Sequence, residues 1–194
     1  MTPEEYIPKA VRTESNRFDI EQIDPDTIRG VLKLAIASGQ AVDCLKRALF
    51  YGKPLDTDKL NNALNDAFKA LSETDGDVYG DAGRGVQEDS VSPRAVHASL
   101  GLLTESAEIV EKILDSLENG SSFDYENMYE ELSDINWYQA IAIDDGQKND
   151  PGRDWSLSDI MDANIRKLSS RYPEKFDTDK AYNRDLEAER EALS

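Results

Sequence analysis

The stretch from Pro93 to Glu118, PRAVHASLGLLTESAEIVEKILDSLE, decides the fold. Within it Val96, Leu100, Leu103, Ala107, Val110, Leu114 and Leu117 follow alternating steps of four and three, which is one stripe of an amphipathic helix and is expected to face a partner helix. Ser92 supplies an N-cap, Pro93 suits the first helical position, and Asn119-Gly120 marks the end. A second helix is predicted from Asp124 to Ile143, with Met128, Leu132 and Ile135 inward and Asp144-Asp145-Gly146 as the loop that ends it. The turn between the two is short, which makes them antiparallel neighbours.

Outward from this hairpin the same periodicity recurs. A third helix is predicted from Trp155 to Arg171, opened by Ser156 and Asp159 at capping-box spacing and stopped before Pro173. Upstream, helices are expected over Asp26 to Tyr51 and Asp56 to Leu71. Between Glu73 and Ser92, the stretch ETDGDVYGDAGRGVQEDS reads as a linker or mobile loop. The C-terminal DLEAEREALS is helix-prone but too short to stand undocked. Period-two alternation of β-branched residues is scarce, so the chain reads as all-α.

At 194 residues the chain is expected to form one domain with its own core. A net charge of −18 opposes broad binding to nucleic-acid polymers or anionic membranes. The lone Cys44 excludes an intrachain disulfide framework. The N-terminal sequence carries acidic residues and prolines where a signal peptide needs an apolar run, so a soluble, cytoplasmic protein is the expectation.

Glu105 and Glu108 sit three apart on the first strong helix, and Glu131 and Asp134 three apart on the second, so two antiparallel helices can aim four carboxylates at one point. Oxygen-only ligation suits Mg²⁺ or Mn²⁺. A di-iron centre needs Glu-x-x-His on two helices, and the only histidine, His97, lies outside that context. An isolated Glu-x-x-Glu is most often a solvated face. Glu131 and Asp134, however, fall in line with Tyr138 and Ile141, a stripe expected to be at least half buried, and buried carboxylates need a metal or a lysine as partner. Ala98 and Gly101 on the stripe of Glu105 leave room above the carboxylates. On the third helix Asn164, Lys167 and Arg171 put an amide, an ammonium and a guanidinium on one face, a set suited to phosphate or to pairing with surface acids. Trp137 and Tyr138 belong to the core or stack on a base.

With these residues the chain resembles the MazG-like all-α nucleoside triphosphate pyrophosphohydrolases. The matching stretches are HASLGLLTESAE, from His97 to Glu108, YEELSDINWY, from Tyr129 to Tyr138, NIRKLSSRYPEKF, from Asn164 to Phe176, and AYNRDLEAEREAL near the end. Thr104 departs from the pattern, standing where its long form has a first Glu. The resemblance implies a MazG-like helical bundle in which Glu105, Glu108, Glu131 and Asp134 are catalytic Mg²⁺ ligands and Asn164, Lys167 and Arg171 hold the substrate. It further implies hydrolysis of a nucleoside triphosphate to the monophosphate and pyrophosphate. A catalytically weak nucleotide-binding protein, or an acidic interaction protein, on the same fold is the alternative.

A shift of 68 positions superposes the two halves. Leu32, Leu34, Ser38, Val42, Leu49, Gly52, Asp56, Leu64 and Asp66 then meet identical residues. The hairpin of residues 29–72 is therefore expected to be a degenerate repeat of an active hairpin 97–143, making the protein a monomeric pseudo-dimer or a homodimer. Ala37, Gln40 and Ala63 replace Glu105, Glu108 and Glu131, and Asp66 alone keeps its counterpart.

Overall fold

In a computed structural model describing residues 1–15, 17–18, 23–73 and 91–193, apart from the side chains of 73 and 182, helices account for all the regular structure among those residues. In chain order they are α1 (Pro3–Ala10), α2 (Pro25–Phe50), α3 (Thr57–Glu73), α4 (Pro93–Asn119), α5 (Tyr125–Asn149), α6 (Leu157–Arg171), α7 (Thr178–Tyr182) and α8 (Leu186–Glu191). A single 3-10 turn, Val11–Thr13, follows α1. The all-α class read from periodicity is thus the class observed. Residues 74–90, within the expected linker, lie outside the described residues. No helix among them is long and apolar enough to cross a membrane.

The chain forms two compact units, one of Met1–Phe18, Asp89–Lys167 and Ala192–Ser194, the other of Asp19–Glu88 and Leu168–Glu191. In the first, α4 and α5 pack as a hairpin. Ser92 Oγ accepts from Arg94 N, Pro93 fills the first turn, and Gly120 closes α4 at φ +65°, a left-handed conformation that favours glycine. Asp124 then caps α5 by accepting from Glu126 N and Asn127 N.

The face of α4 that meets α5 is not the expected one. Leu100, Leu103, Val110, Leu114 and Leu117 are exposed, Leu117 to 77%, and on α5 Leu132 is exposed as well. The buried positions of α4 are Ala98 and Gly101. Small residues allow the close approach: a Cβ built on Gly101 would lie 2.1 Å from Tyr138 Cε1, so the Tyr138 ring rests on bare backbone. The room above the carboxylates, expected from these small residues, is partly filled by that ring.

The helix α5 also continues through Asp144-Asp145-Gly146 rather than ending there. Both acids have partners that sustain the helix. Asp144 accepts from Arg94 Nη1 at 2.7 Å and Lys148 Nζ at 2.6 Å, and buried Asp145 accepts from Ser92 Oγ at 2.7 Å. Gly146 is needed for packing, since a Cβ there would meet the Trp155 ring at 2.4 Å. The N-terminal segment, which periodicity left unassigned, starts with a capping box between Thr2 and Glu5. It is fastened to α5 through Trp137, whose Nε1 donates toward Ala10 O and Thr13 Oγ1, and to α4 through Arg94 Nε on Glu14 at 2.8 Å.

In the second unit α2 and α3 form another hairpin, and three of its local features recur in the first at an offset of 68. Pro25 and Pro93 occupy the first turns of α2 and α4. Gly52 has φ +64° where Gly120 has +65°. Asp56 accepts from Lys59 N where Asp124 accepts from Asn127 N. The buried residues of this seam are Gly30, Ala37, Cys44, Ala63 and Ala70, so Cys44 is a small core residue. Downstream, α8 is docked through buried Glu189, which receives Arg171 Nε at 2.7 Å and Arg184 Nη2 at 2.6 Å.

Candidate metal centre

Across the α4/α5 seam, Glu105, Glu131 and Asp134 each offer a carboxylate oxygen, and the three oxygens lie within 4.8 Å of one another. Helical spacing puts Glu131 and Asp134 on one face of α5, and the seam brings that face to Glu105. Glu131 is 5% exposed, and Ile141, on the same stripe, is 0% exposed, as expected for a face pressed into a seam. Asp134 stays exposed at the rim.

Glu131 is oriented from its own helix. Asn127, one turn earlier, donates Nδ2 to Glu131 Oε1 at 2.6 Å. The amide must present its nitrogen, because its oxygen facing a carboxylate would be repulsive. That orientation leaves Asn127 Oδ1 buried with no partner, an acceptor without a donor beside three further acceptors.

The electrostatics have one sign. Burial, a hydrogen bond with Glu131 and the charges of Glu108 and Asp134 push the Glu105 carboxyl above its ordinary range, against the opposing pull of the Thr104 hydroxyl. That hydroxyl lies 3.1 Å from Glu105 Oε1 and 3.0 Å from the Gly101 carbonyl, so its single proton serves one or the other. The Tyr138 phenol is raised by burial and then by Glu105, Asp134 and Glu108. The Tyr6 phenol is raised by burial and then by Asp134. A cluster of negative oxygens that favours protonation is short of positive charge.

Of the four expected ligands, Glu108 is set apart. It is exposed on the next turn of α4 and its field reaches Glu105 and Tyr138, but it is not part of the three-oxygen group. No hydrogen bond or ion pair among the described residues carries Asn164 or Lys167 to the carboxylates. Asn164 is exposed and Lys167 half-buried on α6. Arg171 is gripped by Glu189 through two of its nitrogens, so the expected phosphate fork is instead engaged in holding α8. Trp137 is fastened to the N-terminal segment and Tyr138 to Gly101, and His97 meets both rings edge-on at 5.7 and 5.5 Å. These aromatics are packing residues rather than a platform for a base.

The donor set is all oxygen, three of them charged, with an additional amide oxygen unsatisfied nearby. It suits a hard divalent cation such as Mg²⁺ or Mn²⁺, which takes carboxylates and keeps water, and offers nothing to a soft metal. Comparison with known proteins finds no matching family, no matching curated protein and no matching solved structure.

Proposed function

We propose that the chain is a Mg²⁺-dependent nucleoside triphosphate pyrophosphohydrolase, releasing the monophosphate and pyrophosphate, with Mn²⁺ as a substitute ion. The observation that carries this reading is the group of Glu105, Glu131 and Asp134 oxygens within 4.8 Å, on two helices, with Glu131 buried. Glu105, Glu131 and Asp134 would hold the cation. Asn127 fixes Glu131, so that its carboxylate does not have to be ordered when the ion arrives. When bound, such an ion neutralises phosphate oxygens and lowers the pKa of a coordinated water.

Glu108, outside the three-oxygen group, is the carboxylate left to accept the proton of the attacking water. Lys167 and Asn164 are the groups proposed for the phosphate chain, while Arg171, held by Glu189, acts as a positioning residue for the end of α6. We further propose that the α2/α3 hairpin is a tandem copy of the α4/α5 hairpin that has lost the carboxylates.

The test is pyrophosphate release from a panel of ribo- and deoxynucleoside triphosphates, with Mg²⁺ and with EDTA. Turnover is expected only with the metal, and Glu131→Gln or Asp134→Asn should lower it by about 100-fold or more, as loss of a catalytic electrostatic contact does. Metal-independent turnover, or full activity in either variant, would sink the assignment.

A further inference from the structure

Asn119 closes α4 and Gly120 follows it as the left-handed cap. Theirs is the single Asn-Gly pair in the chain. Residues 120–124 connect α4 to α5, so this pair opens the turn of the hairpin that carries the carboxylate centre. Asn119, Gly120, Ser121 and Ser122 are all exposed. Neither the Asn119 side chain nor the Gly120 N–H makes a hydrogen bond to any described residue. A Cβ built on Gly120 would meet nothing within 4 Å, so the approach to its nitrogen is open.

Two other helix ends lack this combination. Asn149 closes α5, but the next amide, Asp150 N–H, donates to Gly146 O at 2.8 Å, and Asn149 Nδ2 is itself held by Asp145. The turn after α2 has a glycine of the same conformation, Gly52 at φ +64°, but Tyr51 precedes it and has no side-chain amide. Only at Asn119 do a side-chain amide and a free, unshielded backbone nitrogen adjoin among the helix ends compared.

The chemistry of such a pair is self-contained. Gly120 N bonds to Asn119 Cγ and closes a succinimide ring, while the bond from Cγ to Nδ2 breaks and Nδ2 departs as ammonia with the Gly120 amide proton. Water then opens the ring. Attack at Cγ gives aspartate; attack at the main-chain carbonyl gives isoaspartate, in which the backbone runs through the former side chain. Nothing is oxidised or reduced. Both products place a negative charge beside Glu118, at the end of α4 where unpaired carbonyls already concentrate negative charge. Isoaspartate also lengthens the main chain in a turn whose ends are set by Gly120 at φ +65° and by the Asp124 cap.

We propose that Asn119 is a self-modification site: the folded chain deamidates there without an enzyme, and the change loosens the α4/α5 hairpin as the protein ages. The inference is independent of any activity at the carboxylates.

Incubating the full chain at neutral pH in water enriched in heavy oxygen, with and without urea, followed by peptide mapping in a mass spectrometer, tests it. Label from the water should enter the peptide that carries Asn119. The rate in buffer should be less than about tenfold below that in urea, because a frayed helix end with a free amide opens at little cost. Asn149 should stay intact in buffer over the same period. An isoaspartate methyltransferase should accept the aged protein but not aged Asn119→Gln, whose longer side chain closes its ring far more slowly. The aged chain should unfold at lower urea than the fresh one, and Asn119→Gln should keep its midpoint on ageing. Protection of Asn119 beyond about tenfold in the folded chain, earlier reaction at Asn149, or a urea midpoint that ageing leaves unchanged or lowers equally in Asn119→Gln, overturns the proposal.

Discussion

Glu105 sits where burial and three neighbouring carboxylates all oppose its charge. A carboxyl whose pKa is raised by folding binds its proton more tightly in the folded than in the unfolded chain. Its contribution is therefore most favourable below the ordinary glutamate pKa, and is lost as pH rises from that value through the raised one. In EDTA the urea midpoint should fall across this window. Glu105→Gln should flatten the fall, and so should saturating Mg²⁺ in the unsubstituted protein; superimposable pH profiles for protein and variant would contradict the arrangement. Gly101 is the other position where one atom decides. Its φ is not in the left-handed region, so the demand is purely spatial, and Gly101→Ala should cost roughly 1–3 kcal/mol by forcing the Tyr138 ring aside. Equal urea unfolding curves would show that the ring yields freely.

At the scale of helices, α4 is the informative case. Its large apolar residues point away from α5, so the hairpin alone leaves its most hydrophobic stripe uncovered. Val110 and Leu114 are 53% and 51% exposed, so Val110→Asp and Leu114→Asp should each change the unfolding free energy by no more than about 0.5 kcal/mol, measured by urea denaturation. A loss of about 1.5–3 kcal/mol would show that these side chains are buried in solution. Caps and spacing made these helices legible from the chain: Ser92-Pro93, Asp124 and Gly120 all act where they were read. The direction of the α4 stripe was not legible, because periodicity defines a face without naming what it packs against. Likewise Asp144-Asp145-Gly146 looked like a loop because their partners, Arg94 and Ser92, lie some fifty residues away. For the candidate site, i to i+3 spacing found Glu105, Glu131 and Asp134. Asn127 was available at i−4 from Glu131 and was passed over, and nothing local marked Tyr6. The pairing of Arg171 was not legible, because its partner Glu189 sits on another helix, in a segment whose docking only tertiary structure reveals.

At the scale of the whole chain, two units share one polypeptide, and their boundary is crossed twice in the C-terminal part: α6 lies in the first unit as far as Lys167 and in the second from Leu168, and the chain returns at Ala192. The single thiol, Cys44, is 3% exposed in the α2/α3 seam, while both tryptophans, Trp137 and Trp155, belong to the other unit. Each half thus carries its own natural reporter, with no label to introduce. Alkylation of Cys44 follows opening of one hairpin, and indole fluorescence follows the other. Each signal should report a cooperative transition in urea; coincident midpoints would mean that the two units unfold as one, and separate midpoints that each holds its fold alone. Chance placement of three residues has made the protein its own two-colour thermometer.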